Sequence, residues 1–254
     1  GAVAGAGTAW AGGKVLLVHS YHETYPWVQS ISAGVKDGLK NAGVQLEMVF
    51  MDTKRHQDVA WMKQAGETAR RKVEEFQPDV IIVSDDNAQE YFAKEYAGRE
   101  KPAIVFVGVN SEPGKYGYPA PNVTGVLERP LYVQTLEYLR TVAPAVKTVA
   151  VLGDDSVTST LMIEFIRRQG TPLTVVAIAQ ARTFHDWQAK VEEFSHSADA
   201  LFVTTAETVK SAPVKASEAP TRLDPREVVA WTVAHFRKPT AAGLDFVVAD
   251  GILC

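Results

Sequence analysis

Short runs rich in Val and Ile alternate with longer segments of helical period, and this alternation constrains the fold more than any other feature. Residues 14–20 (KVLLVHS) are almost continuously apolar, as expected of a strand that is buried on both faces. A predicted helix follows over residues 27–41, and Gly43 after it is typical of a helix end. Strands separated by helices indicate parallel βαβ units. The sequence therefore predicts an α/β fold with parallel sheets.

The alternation breaks once, at the Pro-, Gly- and Tyr-rich residues 110–122 (NSEPGKYGYPAPN), and then starts again. Strands are predicted over residues 14–20, 44–51, 79–83, 103–107, 123–127, 148–152, 173–179 and 200–204, and near Thr240. Helices are predicted over residues 27–41, 58–76, 87–96, 131–142, 156–169, 184–195 and 226–236, and an exposed loop over 210–224. Two Rossmann-like lobes result, at residues 14–126 and 127–243, with residues 244–254 as a return crossing towards the N-terminal lobe.

Composition excludes several classes of protein. The 254 residues are 46% hydrophobic and 22% charged, which is ordinary for a folded domain and not for a disordered chain or a coiled coil. The net charge is −4 and no block of basic residues stands out, so nucleic acid is not an expected partner. No apolar run reaches the roughly 18 residues that would indicate a transmembrane helix.

The two chain ends carry further expectations. Residues 1–13 (GAVAGAGTAWAGG) are small and apolar, and Ala9-Trp10-Ala11 matches the pattern that precedes signal-peptide cleavage. We interpret this segment as the remnant of a signal peptide, with a flexible tail as the alternative. The single cysteine, Cys254, cannot form an intrachain disulfide or a CxxC metal site. The apolar end of the chain suggests that a closing strand and helix would follow it.

Ligands of open parallel sheets bind beyond the carboxyl ends of the strands. The first such segment is residues 20–27 (SYHETYPW), in which aromatic rings could stack on a ligand while their polar tips orient it. Tyr21 and His22, nearest the strand end, are predicted to contact the ligand. Trp27 and Tyr25 could instead pack the helix start onto the sheet, and for Trp27 we favour this packing over ligand contact.

Three later segments also follow predicted strands. Residues 84–87 (SDDN) offer helix caps, and a carboxylate there could receive a ligand ammonium group. Asn110 offers both a donor and an acceptor after the fourth strand. Residues 153–159 (GDDSVTS) place hydroxyl groups at a helix start in the second lobe. Backbone N–H groups at the helix start of residues 84–87 could also receive a carboxylate, so this segment would suit a zwitterion such as an amino acid.

Catalytic, cofactor and metal motifs are weak in this sequence. It contains no GxSxG, GxxxxGK[ST] or HExxH motif, and no GxGxxG after a strand. His19 and His22 would diverge where a strand leaves into a loop, and we expect the other histidines on scattered helices. We therefore predict no catalytic residues, no metal and no cofactor.

Several stretches resemble the ABC transporter substrate-binding-protein family with the type I periplasmic binding fold. They include VLLVHSYHETYPWVQSISAGV, VIIVSDDNAQEYF, VTGVLERP, VAVLGDDSVTS and the closing DFVVADG. The similarity is greatest to its branch of stand-alone binders and of extracellular sensor domains of histidine kinases and diguanylate cyclases. It covers nearly the whole chain from Lys14 onward.

The resemblance implies a two-lobed clamp that closes by hinge motion on one small molecule between its lobes. Carried over by motif, the implied ligand-binding residues are Ser20, Tyr21, His22, Asp85, Asn87, Asn110, Glu128, Asp155, Thr158 and Asp245. Family members continue for some tens of residues beyond the position of Cys254, so the closing elements of the C-terminus are expected to be missing here.

The function implied is that of a monomeric periplasmic solute-binding protein that binds a small polar or zwitterionic molecule for an ABC importer, with an aromatic amino acid as the first candidate solute. The alternative is the ligand-sensing ectodomain of a membrane receptor, which would need a transmembrane helix after the domain. A two-lobed cytoplasmic α/β enzyme, such as a sugar-nucleotide transferase, is a third possibility and would need a phosphate-binding loop.

Overall fold

The computed structural model describes residues 12–211 and 220–252. The chain divides into two compact units, with the boundary between Glu128 and Arg129. Each unit is built on one parallel sheet, which confirms the predicted α/β class with two parallel-sheet lobes. Residues 1–11, which hold most of the predicted signal-peptide remnant, lie outside the described residues, as do residues 212–219 of the predicted loop.

The first unit contains a five-stranded parallel sheet in the order β2-β1-β3-β4-β5. Its strands are β1 (Lys14–His19), β2 (Gln45–Phe50), β3 (Val80–Ser84), β4 (Ala103–Val109) and β5 (Val123–Leu127). Its helices are α1 (Pro26–Leu39), α2 (Val59–Phe76) and α3 (Asp86–Tyr91), with short 3-10 helices at Ala93–Tyr96 and Pro113–Tyr116. The central strands are buried on both faces, as their continuous apolar sequences predict.

The second unit contains a four-stranded parallel sheet in the order β7-β6-β8-β9. Its strands are β6 (Thr148–Asp154), β7 (Thr174–Ala181), β8 (Ala200–Val203) and β9 (Thr240–Ala242). Its helices are α4 (Tyr132–Val142), α5 (Val157–Gln169), α6 (Phe184–Ser197), α7 (Pro225–His235) and α8 (Asp245–Ala249). Trp187 of α6 is fully buried and donates its indole N–H to Thr232 Oγ1 of α7 at 2.8 Å, which joins these two helices.

Helix caps explain several of the element boundaries. Asp58, the first residue of the helix predicted over residues 58–76, caps α2 by accepting a hydrogen bond from the Trp61 amide at 2.8 Å. The helix predicted over residues 87–96 is wrong in its second half. It ends at Tyr91, Phe92 leaves helical geometry with φ −139° and ψ −66°, and a 3-10 helix follows.

The structure describes both ends of the predicted loop over residues 210–224 and most of the segment 244–254, two segments of the second unit. In the predicted exposed loop over residues 210–224, Lys210 forms β-bridges with Thr183 and Arg222, so the described ends of this loop are anchored. In the segment 244–254, Val247 and Ile252 are buried in the core of the second unit. The return crossing and the lobe boundaries stay predictions. Within the described ranges, no helix is long and apolar enough to cross a membrane.

Candidate functional site

The carboxyl ends of β1 and β3 form the topological switch point of the first sheet. The chain leaves β1 towards β2 on one side and continues from β3 towards β4 on the other. Ligands of open α/β sheets bind at such a point, where adjacent loops diverge. The loops after these two strands carry Ser20, Tyr21, His22 and Asp85, and the first turn of α3 carries Asn87. The first unit therefore gathers these predicted site residues at one edge of its sheet.

Hydrogen bonds tie together the loops after β1, β2 and β3. Ser20 Oγ donates to the Ser84 carbonyl oxygen and accepts from the Ala88 amide, both at 2.8 Å. Thr53, in the loop after β2, donates its hydroxyl to the Ser20 carbonyl oxygen at 2.8 Å and accepts from Asn87 Nδ2 at 2.9 Å. Ser20 and Asn87 are both buried, so these bonds hold the three loops in fixed positions.

Asp86 fixes the segment that follows β4. Its carboxylate accepts hydrogen bonds from the amides of Asn110 (2.8 Å) and Ser111 (3.0 Å) and from the Tyr116 hydroxyl (2.6 Å). Burial and the charge of Asp86 raise the pKa of Tyr116, which keeps that hydroxyl a donor. Since a buried carboxylate needs such donors, Asp86 positions Asn110 rather than facing a ligand.

Asp85 is a buried carboxyl group in an unusual backbone conformation. Its φ of 69° lies in the left-handed region, and its Oδ1 accepts from the Asp86 amide at 2.6 Å. Burial, and after it the charge of Asp86, raise the pKa of Asp85 to about 7, although a hydrogen bond from Tyr21 and the charge of Lys54 act in the opposite direction. The Asp85 carboxyl group therefore exchanges its proton near neutral pH.

Glu128, directly after β5, joins the same site. Asn110 Nδ2 donates to Glu128 Oε2 at 2.7 Å, and the Trp27 side chain also hydrogen-bonds to this carboxyl group. Burial raises the pKa of Glu128, and these two hydrogen bonds oppose that shift. Trp27 packs against Gly108 of β4, in line with the packing role that the sequence favours. Its bond to Glu128 makes it a part of the candidate site as well.

Lys54 lies among aromatic rings in the loop after β2. It is 3% exposed, and its Nζ is 4.8 Å from the Tyr21 ring centroid and 5.4 Å from that of Tyr25. The Tyr21 and Tyr25 rings meet edge to face at 5.5 Å, and the Tyr21 ring lies 6.1 Å from that of Trp27. These four side chains, with Asp85, combine aromatic surface with charge of both signs.

His22 lies on the side of the site nearest Asp52. Its Nδ1 is 3.6 Å from Asp52 Oδ1, while Arg55 and His56 approach the other Asp52 oxygen at 2.5 and 3.7 Å. The expectation that His56 lies on a helix is wrong, because it follows a turn and stacks on Trp61 with 3.9 Å between ring centroids. The Asp52 carboxylate is thus surrounded by three basic side chains.

The second unit has a comparable buried carboxylate at the last residue of β6. Asp154 is fully buried and accepts from the hydroxyls of Ser156 (2.5 Å) and Thr205 (2.8 Å) and from the amide of Thr208 (2.9 Å). These bonds join the loops after β6 and β8, which flank the switch point of the second sheet. Asp154 therefore positions this edge of the second unit, as Asp86 does in the first.

The other three predicted site residues belong to the second unit. Asp155 is half-buried, pairs with Arg182 Nε at 2.8 Å and accepts from Thr208 Oγ1 at 3.2 Å. Thr158 is half-buried in the first turn of α5, and Asp155 lies just before the Ser156 cap of that helix. Asp245 begins α8, after β9, where it is exposed and accepts from the Phe246 amide at 2.8 Å.

No group of three or more His, Cys, Asp or Glu side chains is placed to hold a metal ion in residues 12–211 and 220–252. His19, whose spacing from His22 raises the question of a metal site, is fully buried. It hydrogen-bonds with Ser84 Oγ (2.8 Å) and Ser32 Oγ (2.9 Å). Burial lowers the pKa of His19 to about 4, so its ring stays neutral inside the first unit.

Sequence reasoning missed Lys54 and the positioning role of Thr53. Both follow β2 directly, so the rule that ligands bind at the carboxyl ends of parallel strands applies to them as well as to Tyr21 and Asp85. The four predicted site segments follow β1, β3, β4 and β6, and none of them follows β2, which is an edge strand of the first sheet. A buried lysine cannot be recognised from its own residue type, because most lysines are exposed.

Comparisons with known proteins add the family. A family model described as "ABC transporter substrate binding protein" matches residues 24–217. A search of curated proteins found no match. An ABC domain from Streptococcus pneumoniae, solved in complex with L-Trp, is 18% identical with a TM-score of 0.64, over 96% of this chain and 78% of that one.

Two further solved structures share the fold. A conserved domain protein from Vibrio cholerae is 18% identical with a TM-score of 0.66, over 95% of this chain and 77% of that one. The branched-chain amino acid transporter substrate-binding protein LivJ from Streptococcus pneumoniae, in complex with isoleucine, is 13% identical with a TM-score of 0.62. That match covers 94% of this chain and 67% of LivJ. The similarity to these structures supports the type I periplasmic binding fold.

Proposed function

This chain belongs to the family of ABC transporter substrate binding proteins, and we propose that it binds a small zwitterionic solute for an ABC importer. An amino acid with an aromatic or other apolar side chain is the first candidate. The protein would act in the periplasm and hand its solute to a membrane permease. No chemical step is assigned to it, because solute capture needs only a favourable binding free energy.

One observation carries this proposal: two carboxyl groups and a set of aromatic rings meet at the switch point of the first sheet. Asp85 and Glu128 supply two carboxyl groups at this edge, and ionised carboxyl groups form strong hydrogen bonds with an ammonium group. The rings of Tyr21, Tyr25 and Trp27 offer apolar surface beside them. A solute with an amino group and an apolar side chain complements both features.

Solved structures of the same fold support the choice of amino acids as first candidates. One of them was crystallised with L-Trp and another with isoleucine. Their identity to this chain is below 20%, so the solute cannot be carried over from them and has to be measured. The residues of this chain supply the separate argument, since acidic and aromatic side chains are the groups that hold an apolar amino acid.

The test is a thermal-shift screen on protein that has been unfolded and refolded to remove any co-purified solute. The panel holds the twenty amino acids, common sugars, nucleobases and small carboxylates. A solute at about 100 times its Kd should add about 2.7 kcal/mol to the free energy of unfolding. For a chain of this size, that raises Tm by roughly 5–10 °C.

Two variants separate binding at this site from unspecific stabilisation. Asp85→Asn removes a carboxylate of the site, and Asp37→Asn removes an exposed carboxylate of α1. We expect the shift to disappear in Asp85→Asn and to persist in Asp37→Asn. A panel without any stabilising amino acid, or conversion of a bound compound detected by mass spectrometry, would contradict the proposal.

A further inference from the structure

Lys54 is a largely buried lysine whose ammonium group forms no ion pair in the part of the chain that the structure describes. The residue is 3% exposed, and among the described residues its Nζ has no hydrogen-bond acceptor within 3.5 Å and no carboxylate oxygen within 4.0 Å. Its described contacts are with the faces of the Tyr21 and Tyr25 rings. Aromatic faces attract a cation, but they accept none of the three N–H bonds of an ammonium group in the ordinary way.

The position of Lys54 is imposed by its neighbour in sequence. The Thr53 amide and hydroxyl both donate to the Ser20 carbonyl oxygen, at 2.9 and 2.8 Å, and Thr53 accepts from Asn87. The backbone that carries Lys54 is therefore fixed to the loops after β1 and β3. Removing most of a lysine side chain from water without an ion pair is unfavourable, and a bound anion would offset that cost.

Charges of opposite sign stand close to Lys54 without pairing with it. Lys54 lowers the pKa of both Asp85 and Glu128, so the three groups lie within electrostatic range of one another. A lysine side chain is long and flexible, and it would close an ion pair if neutralising these carboxylates were its role. Separated positive and negative groups instead match a ligand that carries both charges.

We propose that Lys54 receives the carboxylate of a zwitterionic amino acid, whose ammonium group meets Asp85 and Glu128. The inference rests on the solute-binding function proposed above and narrows the solutes to those with an anionic group. It makes Lys54 a determinant of specificity. Amides and amines of the same shape would leave its ammonium group buried and unpaired, which is a strong basis for discrimination.

The test compares each amino acid with its carboxamide, which keeps the side chain and the amino group but lacks the carboxylate. The probes are L-phenylalanine, L-tyrosine and L-tryptophan and their three carboxamides, measured by isothermal titration calorimetry. We expect the wild-type protein to bind at least one of the acids and to bind its amide at least about 30-fold more weakly. Lys54→Met should weaken binding of that acid by a similar factor.

Lys63→Met is the matched control, because Lys63 is exposed on α2 and the change in side chain is the same. It should bind the acid as the wild type does. Equal binding of acid and amide by the wild type, or undiminished binding of the acid by Lys54→Met, would overturn the role of Lys54 while leaving the solute-binding function intact. If the wild type binds none of the acids, the aromatic amino-acid assignment fails, and the inference on Lys54 fails with it.

Discussion

The Trp27 side chain occupies the space that the absent Cβ of Gly108 leaves open. A Cβ at Gly108 would lie 2.4 Å from Trp27 Cζ2, closer than any unstrained contact, and Gly108 has a φ of 69°. The pairing of β4 with β5 shifts register between Val107 and Val109, as expected where a glycine interrupts a strand. This glycine thus lets the Trp27 indole reach Glu128.

Gly108→Ala should therefore damage both stability and the site. We expect a loss of about 2–4 kcal/mol in the free energy of unfolding, because the new methyl group meets a rigid indole and the backbone conformation disfavours alanine. Urea unfolding measures the loss. Gly34→Ala is the control: no atom lies within 4 Å of its added Cβ in α1, so it should stabilise by roughly 0.5–1 kcal/mol. A Gly108→Ala protein as stable as the wild type would contradict the role of this contact.

The three hydrogen bonds to Asp86 predict a graded pair of variants. Tyr116→Phe removes one buried donor to a charged acceptor and should cost about 1.5–3 kcal/mol. Asp86→Asn also weakens the bonds from the amides of Asn110 and Ser111 and should cost more, about 3–5 kcal/mol. Both values come from urea unfolding.

Tyr138→Phe is the control for this pair, because Tyr138 is 59% exposed on α4. It should change the free energy of unfolding by less than about 0.5 kcal/mol. The prediction is wrong if Asp86→Asn lowers the free energy of unfolding by no more than Tyr138→Phe does.

Most of the fold follows from local sequence because its strands and helices have strong and different periods. The run at residues 14–20 can only be a strand buried on both faces, and Asp58 before an amphipathic segment is a clear helix start. The break of the helix at Phe92 is not visible in this way. Phe92 is fully buried in the core of the first unit, so tertiary packing decides its backbone conformation.

The candidate site was predictable by position but not by role. The strand-end rule points to Asp85 and Asp86 together, yet only the structure separates a carboxyl group with few donors from one that accepts three hydrogen bonds. The Asp85-Asp86 pair just after β3 and the Asp154-Asp155 pair at the end of β6 look alike in sequence, but the sequence does not show which aspartate of each pair positions the loops. The second aspartate is the positioning residue in the first unit, whereas the first one, Asp154, has that role in the second unit.

The lowered pKa of the buried His19 predicts that the free energy of unfolding decreases in acid. Burial lowers its pKa to about 4 from about 6.5 in the unfolded chain, so between these values the unfolded state binds more protons. The free energy of unfolding should therefore fall by up to about 1.4 kcal/mol per pH unit from this group as the pH drops from about 6.5 to about 4. Urea unfolding of the wild type and of His19→Gln between pH 4 and 7 isolates the contribution.

His185→Gln serves as the control, because the His185 side chain is 82% exposed. It should reproduce the pH dependence of the wild type, whereas His19→Gln should flatten it. Parallel curves for the wild type and His19→Gln would show that the buried imidazole does not titrate differently in the two states.

The raised pKa of the buried Asp85 predicts the opposite pH dependence: its contribution to the free energy of unfolding decreases as the pH rises. Burial raises its pKa to about 7 from about 4 in the unfolded chain, so between these values the folded state binds more protons. The stability from this group is present below pH 4 and is lost as the pH rises to about 7, by up to about 1.4 kcal/mol per pH unit. Asn at this position keeps the helix cap and tolerates the left-handed backbone.

Asp85→Asn should therefore gain stability relative to the wild type as the pH rises, with the difference levelling off above pH 7. The measurement is the difference in the free energy of unfolding between the two proteins, without solute, at pH 5, 6, 7 and 8. Taking the difference cancels the contribution of His19, which both proteins share. Asp37→Asn, on the exposed face of α1, should give a difference that does not change with pH. A constant difference for Asp85→Asn as well would mean that its carboxyl group ionises at an ordinary pH, with solvent reaching it at the switch point of the first sheet.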